Sequence, residues 1–134
     1  MARLDKIDYF DDSGNTEMKS ETEDIIRYAD MLAAMGTEPR LRIVRLLLSA
    51  HPEGLVVGGI QEELGMSASN LSHHLEKLRH EGLVNMKREG TFLRYTANTS
   101  AIEELLAFLY AECCSRSKAI QPDKLFQACI GEPK

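Results

Sequence analysis

The stretch GGIQEELGMSASNLSHHLEKLRHEGLV, residues 58–84, decides the fold. Gly58-Gly59 opens a short helix that runs through Leu64, and Gly65 closes it. Met66-Ser67-Ala68-Ser69 is a turn with a capping serine, and a second helix follows until Gly82. In that helix Leu71, Leu75 and Leu78 fall on one face, while Ser69, Ser72, His73, Glu76 and His80 fall on the other. Two short helices joined by a tight turn, the second apolar inside and small and polar outside, form a helix-turn-helix signal. The second helix of that motif enters the major groove with its N-terminal residues toward base edges. Ser69 and Ser72 are short donors and acceptors that allow close approach, and His73 is longer and can do either. Ser67, Asn70 and Lys77 complete the candidate DNA-binding set on this segment. His74 lies near the leucine face and reads as a packed histidine, His80 as a solvated one. Lys77 and Arg79 also fit ordinary surface charge.

Working outward, Leu83–Arg88 and Thr91–Thr96 read as two strands around Glu89-Gly90, a hairpin turn signal. Lys87, Arg88 and Arg94 on this hairpin are placed to meet backbone phosphates as a wing. Leu55-Val56-Val57 suits a small edge strand after the break at His51-Pro52-Glu53-Gly54. On the N-terminal side, apolar residues recur from Ile25 through Tyr28, Ala29, Leu32 and Ala33, so a first helix spans about Glu21 to Met35. Thr37 caps the next helix and Pro39 sits in its first turn. That helix, PRLRIVRLLLSA, is apolar over most of its circumference and is expected at the centre of the core. A final long helix begins with Ser100 as cap and Glu103 as its capping-box partner, with Ile102, Leu106, Leu109 and Cys113 along one stripe. Gln121-Pro122 breaks the chain, and DKLFQACI suits one or two helical turns.

The fold class is therefore mainly α with a β-hairpin wing, a winged helix-turn-helix. Residues 1–20 form an acidic flexible arm, 21–117 the DNA-binding and dimerisation domain, and 118–134 a tail. Residues 1–24 hold three basic against eight acidic residues, which accounts for the whole net charge of −5. The arm is a solvated tail on this reading; the alternative is an acidic segment that competes with phosphates for basic residues. Residues 69–94 hold five basic and three acidic residues, a mild excess that a two-fold dimer would double. The first and last helices each carry an apolar stripe that a small domain cannot bury alone, which points to a dimer. The opening residues lack a signal-peptide run, and no segment reaches the roughly 18 apolar residues of a membrane span. A reducing, cytoplasmic setting with no membrane partner is expected. No Gly-rich phosphate loop, HExxH or GxSxG is present, so no enzyme is expected.

The segments GTEPRLRIVRLLL, GGIQEELGMSASNLSHHLEKLRHEGLV and KREGTFLRYT together resemble the winged-helix repressors of the ArsR/SmtB family. The resemblance covers roughly residues 21–115. It implies a homodimer built on the first and last helices, and an operator-binding repressor that lets go when a metal or metalloid binds. Ser69, Ser72 and His73 match the family's base-contacting positions, and Ala68 stands where many members have glutamine.

The family places its sensor sites on different elements. The place where many arsenic sensors carry a CxC pair reads Val57-Gly58-Gly59-Ile60 here, without a thiol. The last helix, SAIEELLAFLYAECC, has no histidine for a zinc site. Cys113, Cys114 and Cys129 remain, and they resemble the arsenic repressors whose thiols lie at the C-terminus. Soft thiolates select thiophilic centres, and trivalent arsenic takes three. No permanent cofactor is implied; the effectors expected are As(III) or Sb(III), then cadmium, lead or another thiophilic ion, then a thiol–disulfide switch. The competing reading is three structural cysteines. Cys113 on the apolar stripe suits it, but Cys114 points about 100° away around the helix. Chance alone would make two of three cysteines adjacent only about 4% of the time.

Overall fold

A computed structural model describes the backbone of residues 12–116, 121, 123, 124 and 127, and the side chains of residues 19–112, 121, 123, 124 and 127. The chain divides into two units after Thr99. The first holds α1 (Asp12–Met35), α2 (Glu38–Ser49), β1 (Leu55–Val56), α3 (Val57–Leu64), α4 (Ala68–His80), β2 (Val84–Glu89) and β3 (Phe92–Ala97). The second holds almost all of α5 (Thr99–Arg116).

Helix α1 starts at Asp12, so residues 12–20, expected in the flexible arm, are helical. Its buried residues are Tyr28, Met31 and Ala34, three apart along one stripe. The stripe read from the sequence is displaced from this one: Ile25 and Leu32 are exposed, as is Ile26. At the other end of the chain, α5 buries Ala101 and Leu105 and exposes Leu106 and Leu109. It begins at Thr99, so Ser100 stands inside its first turn instead of capping it. A shift of one residue at a helix end is small, but it removes the expected capping box.

Helix α2 starts as expected, with the Thr37 hydroxyl accepting from the Arg40 backbone N–H at 3.4 Å and Pro39 in the first turn. It is buried along Ile43, Val44 and Leu47 and not all round, since Leu41 and Leu48 are exposed. Against it packs α4, whose Leu71, Leu75 and Leu78 are each at most 1% exposed. Full burial of one such leucine stabilises by about 1.5–3 kcal/mol, so these three fix the face that α4 turns inward.

The sheet is antiparallel with order β1-β3-β2. Glu89 pairs with Phe92 across the Gly90-Thr91 loop, one residue later than the turn expected at Glu89-Gly90. Val84, Met86 and Arg88 share a face with Ala97, Tyr95 and Leu93; Asn85, Lys87 and Glu89 share the other with Thr96, Arg94 and Phe92. The expected edge strand is β1, pairing Leu55 with Tyr95 and Val56 with Arg94. Gly54 makes that pairing sterically feasible. Its φ is 74°, and a Cβ there would collide with the Tyr95 carbonyl oxygen and the Thr96 side chain.

Candidate nucleic-acid interface

The helix-turn-helix is built by α3 and α4. Gly65 ends α3 in the left-handed region, its N–H donating to the Gln61 carbonyl at 2.7 Å. The chain then turns through Met66 to Ser67, whose hydroxyl accepts from the Asn70 N–H and caps α4. Ser67 is therefore tied to the backbone of its own helix. Burial of the three leucines leaves Ser69, Asn70, Ser72, His73 and Lys77 exposed together with Glu76, Arg79 and His80. The sequence-predicted polar face is thus presented as one surface.

Charge on this surface is partly self-neutralised. Arg79 pairs with Glu76 at 2.8 Å, and His80 lies 3.5 Å from Glu81. His73, Glu76, Lys77, His80 and Glu81 line an open groove of about 350 Å³. Beneath α4, Tyr95 is buried; burial, and then Glu76, push its phenol pKa up, against an opposing pull from Arg79. The phenol therefore stays neutral at physiological pH.

The three wing cations separate. Lys87 and Arg88 are exposed and make no ion pair among the described residues. Arg94 does not stand free. Its Nε donates to Glu89 Oε1 at 2.9 Å, and its Nη1 donates to the carbonyls of Gly54 at 3.3 Å and Glu53 at 3.4 Å. The hairpin register puts Glu89 and Arg94 on one face in a diagonal position, a signal the sequence contained. At the tip of the wing Phe92 is 62% exposed.

His74 is half-buried, as its place near the leucines predicts. Its Nδ1 lies 3.4 Å from Nη1 of Arg40. Burial first, then the Arg40 charge, then His73, hold its pKa below the ordinary 6.5. Arg40 went unremarked in the sequence because its partners lie on other helices.

The thiol site falls largely outside what is described. Cys113 and Cys114 lie on the last turns of α5, but their side chains, and the whole of Cys129, are outside the described residues. Among the described residues no group of three His, Cys, Asp or Glu side chains could hold a metal ion. Among them, too, no helix is long and apolar enough to cross a membrane.

Comparison with known proteins decides what this arrangement is. The profile of the bacterial regulatory proteins of the arsR family matches residues 37–86. The transcriptional activator HlyU of Vibrio cholerae is 34% identical over 88 residues, spanning 66% of this chain and 79% of that protein. The chain belongs to the ArsR family. It is a DNA-binding transcriptional regulator of that family, and its relatives are regulators and not enzymes. The nodulation protein NolR of Rhizobium meliloti is 34% identical over 87 residues, 65% of this chain and 69% of that one. Halobacterium salinarum ArsR2, named for an arsenical resistance operon, is 31% identical over 96 residues, 72% of this chain and 76% of that one. The structure of reduced HlyU from Vibrio cholerae superposes with a TM-score of 0.55 at 36% identity, covering 69% of this chain and 97% of that one. Within this ArsR-family fold the winged helix-turn-helix expected from residues 58–96 is present.

Proposed function

We propose that this ArsR-family protein binds operator DNA as a homodimer in the cytoplasm and represses until As(III) or Sb(III) binds Cys113, Cys114 and Cys129. The observation that carries the effector reading is the place of two adjacent cysteines, Cys113 and Cys114, in the last turns of α5. Three thiols meeting arsenous acid form three S–As bonds, and the thiol protons leave with the displaced hydroxides as water. A likeness to ArsR2 supports the metalloid; HlyU and NolR are not named for arsenic, and HlyU is named as an activator. For the dimer, support comes from the exposed Ile25 and Leu32 on α1 and Leu106 and Leu109 on α5, four large apolar side chains without cover in one subunit. For operator contact, support comes from the shared exposure of Ser69, Asn70, Ser72, His73 and Lys77 on α4 and of Lys87 and Arg88 on the wing.

A second reading has its own observation. One HlyU structure is described as the reduced form, which makes a thiol–disulfide switch the natural competitor. Peroxide would then convert two thiols to a disulfide and two waters. One titration separates these. The reduced protein is bound to a duplex that it has selected from a random-sequence library, and arsenite, antimonite, cadmium, lead or peroxide is added. Release by arsenite and antimonite, lost in Cys113→Ser and Cys114→Ser with DNA binding intact, is the expected result. Release by peroxide alone assigns the redox switch. Unchanged stoichiometry and release in Cys129→Ser removes that residue from the site.

A further inference from the structure

Arg40 sits at the junction of three helices. It belongs to the first turn of α2. Its Nε donates to the carbonyl oxygen of Ala34, in the last turn of α1. Its Nη1 faces Nδ1 of His74 on α4 at 3.4 Å. Each contact answers a local need. The last carbonyls of a helix have no partner within it, and the helix end carries partial negative charge. Helix α1 has no basic residue in its last turn, so the cation at that end comes from Arg40. The adjacent Ala33 carbonyl is taken by the Gly36 N–H at 3.1 Å, while that of Ala34 takes the guanidinium.

At His74 the geometry selects a protonation state. A guanidinium N–H can only donate, so Nδ1 opposite it accepts and the ring proton sits on Nε2. Burial and the Arg40 charge both favour that neutral ring. The next residue toward the N-terminus is His73, exposed on the polar face, its ring centroid 5.7 Å from that of His74. One arginine therefore spans the end of α1, α2 and the side chain beside the proposed base-reading histidine.

We infer that Arg40 is a positioning residue for DNA reading, holding α4 in register against the end of α1 through His74 so that His73 and Ser69 meet base edges. The inference rests on the proposed role of α4 as the base-reading helix. Lysine cannot replace Arg40, because a single ammonium lacks the rigid fork that reaches two acceptors at once. Loss of the register affects base contacts, which need angstrom placement, and leaves the phosphate attraction that governs binding to any sequence.

The test compares binding to the library-selected duplex with binding to a random duplex at fixed salt and pH. Thermal unfolding of every variant establishes that it is folded. Arg40→Lys keeps the charge, and His74→Leu removes the acceptor; each is expected to lower the ratio of selected to random affinity by about tenfold, the scale of one hydrogen bond to a charged group. The double variant is expected to lose no more than either single one, because both remove the same link. His74→Gln, which keeps an acceptor, is expected to recover most of the ratio. An unchanged ratio in Arg40→Lys while His73→Ala still lowers it overturns the inference and leaves the base-reading helix standing. Additive losses in the double variant overturn it as well. If His73→Ala binds the selected duplex like the wild type, the base-reading assignment fails and the positioning role falls with it.

Discussion

Replacing the wing cations one at a time separates a phosphate contact from a structural arginine. Lys87 and Arg88 are exposed and without an ion pair among the described residues, whereas Arg94 is held by Glu89 and by two backbone carbonyls. Each phosphate neutralised contributes about 0.9 to the slope of log affinity against log salt. In the proposed dimer one substitution removes two contacts, so Lys87→Ala or Arg88→Ala should flatten the slope by about 1.8. Between roughly 50 and 200 mM salt, a fourfold change, that slope corresponds to about a twelvefold smaller loss of affinity. Arg94→Ala should change the slope by much less than one unit and instead lower stability by about 1 kcal/mol, since its ion pair is partly exposed and its carbonyl bonds are long. Fluorescence anisotropy with a random duplex over a salt series reads the slope, and urea unfolding reads the stability. A slope loss in Arg94→Ala equal to that in Arg88→Ala would refute the argument, because it would mean that the arginine leaves Glu89 to meet DNA.

Three further outcomes follow from the geometry. Leu75→Ala, at a position 1% exposed between α4 and the core, should destabilise by about 2–5 kcal/mol in urea unfolding; a loss below about 1 kcal/mol would mean that α4 is not seated as described. His74 has a folded-state pKa below 6.5, so the unfolded chain binds the proton first. Its contribution to stability is complete above pH 6.5 and declines as pH falls through 6.5 toward the lower folded value, and His74→Gln should flatten that part of the stability–pH profile. Sedimentation of the full chain at micromolar concentration should give a dimer with or without arsenite, and a stable monomer would contradict the role given to the exposed apolar residues of α1 and α5.

What the sequence disclosed depended on whether the information was local and periodic. Leu71, Leu75 and Leu78 recur at helical spacing because one face of α4 must be buried, and burial leaves the polar residues outward without further assumptions. The hairpin was legible to within a residue because strand propensity and a Gly-centred turn coincide near Gly90. Residues 12–20 were not legible as helix. The stretch DSGNTEMKS offers no apolar residues at three- and four-residue steps, so periodicity has nothing to register there. The stripes on α1 and α5 were legible as apolar, but what covers them was not. Ile25, Leu32, Leu106 and Leu109 are as apolar as a core residue, and the pattern marks them as requiring cover without specifying whether the cover lies in the same chain. Arg40 and Arg94 illustrate the remaining limit. His74 stands 34 residues from Arg40, and the Gly54 and Glu53 carbonyls stand about 40 from Arg94; these contacts appear only in the assembled fold, whereas the Arg94–Glu89 pair follows from the hairpin register.

The placement of charge accounts for how an acidic chain can serve as a DNA-binding regulator. Net charge acts over the whole molecule only where screening permits, and the Debye length near physiological salt is about 8 Å. Side chains from Lys19 through Arg27 of α1 are exposed, and among the described residues Tyr28 is the first buried one. At 1.5 Å per residue, Asp12 lies about 24 Å along the helix from Tyr28, several screening lengths away. Glu21, Glu23 and Asp24 are exposed on that stretch, where solvent and counterions screen them. On the proposed reading surface, Glu76 is occupied by Arg79 and Glu89 by Arg94, which leaves Lys77, Lys87 and Arg88 as the cations not already neutralised among the described residues. Two of the three acids between positions 69 and 94 are thus held by arginines, which leaves a local excess of positive charge for the proposed phosphate contacts.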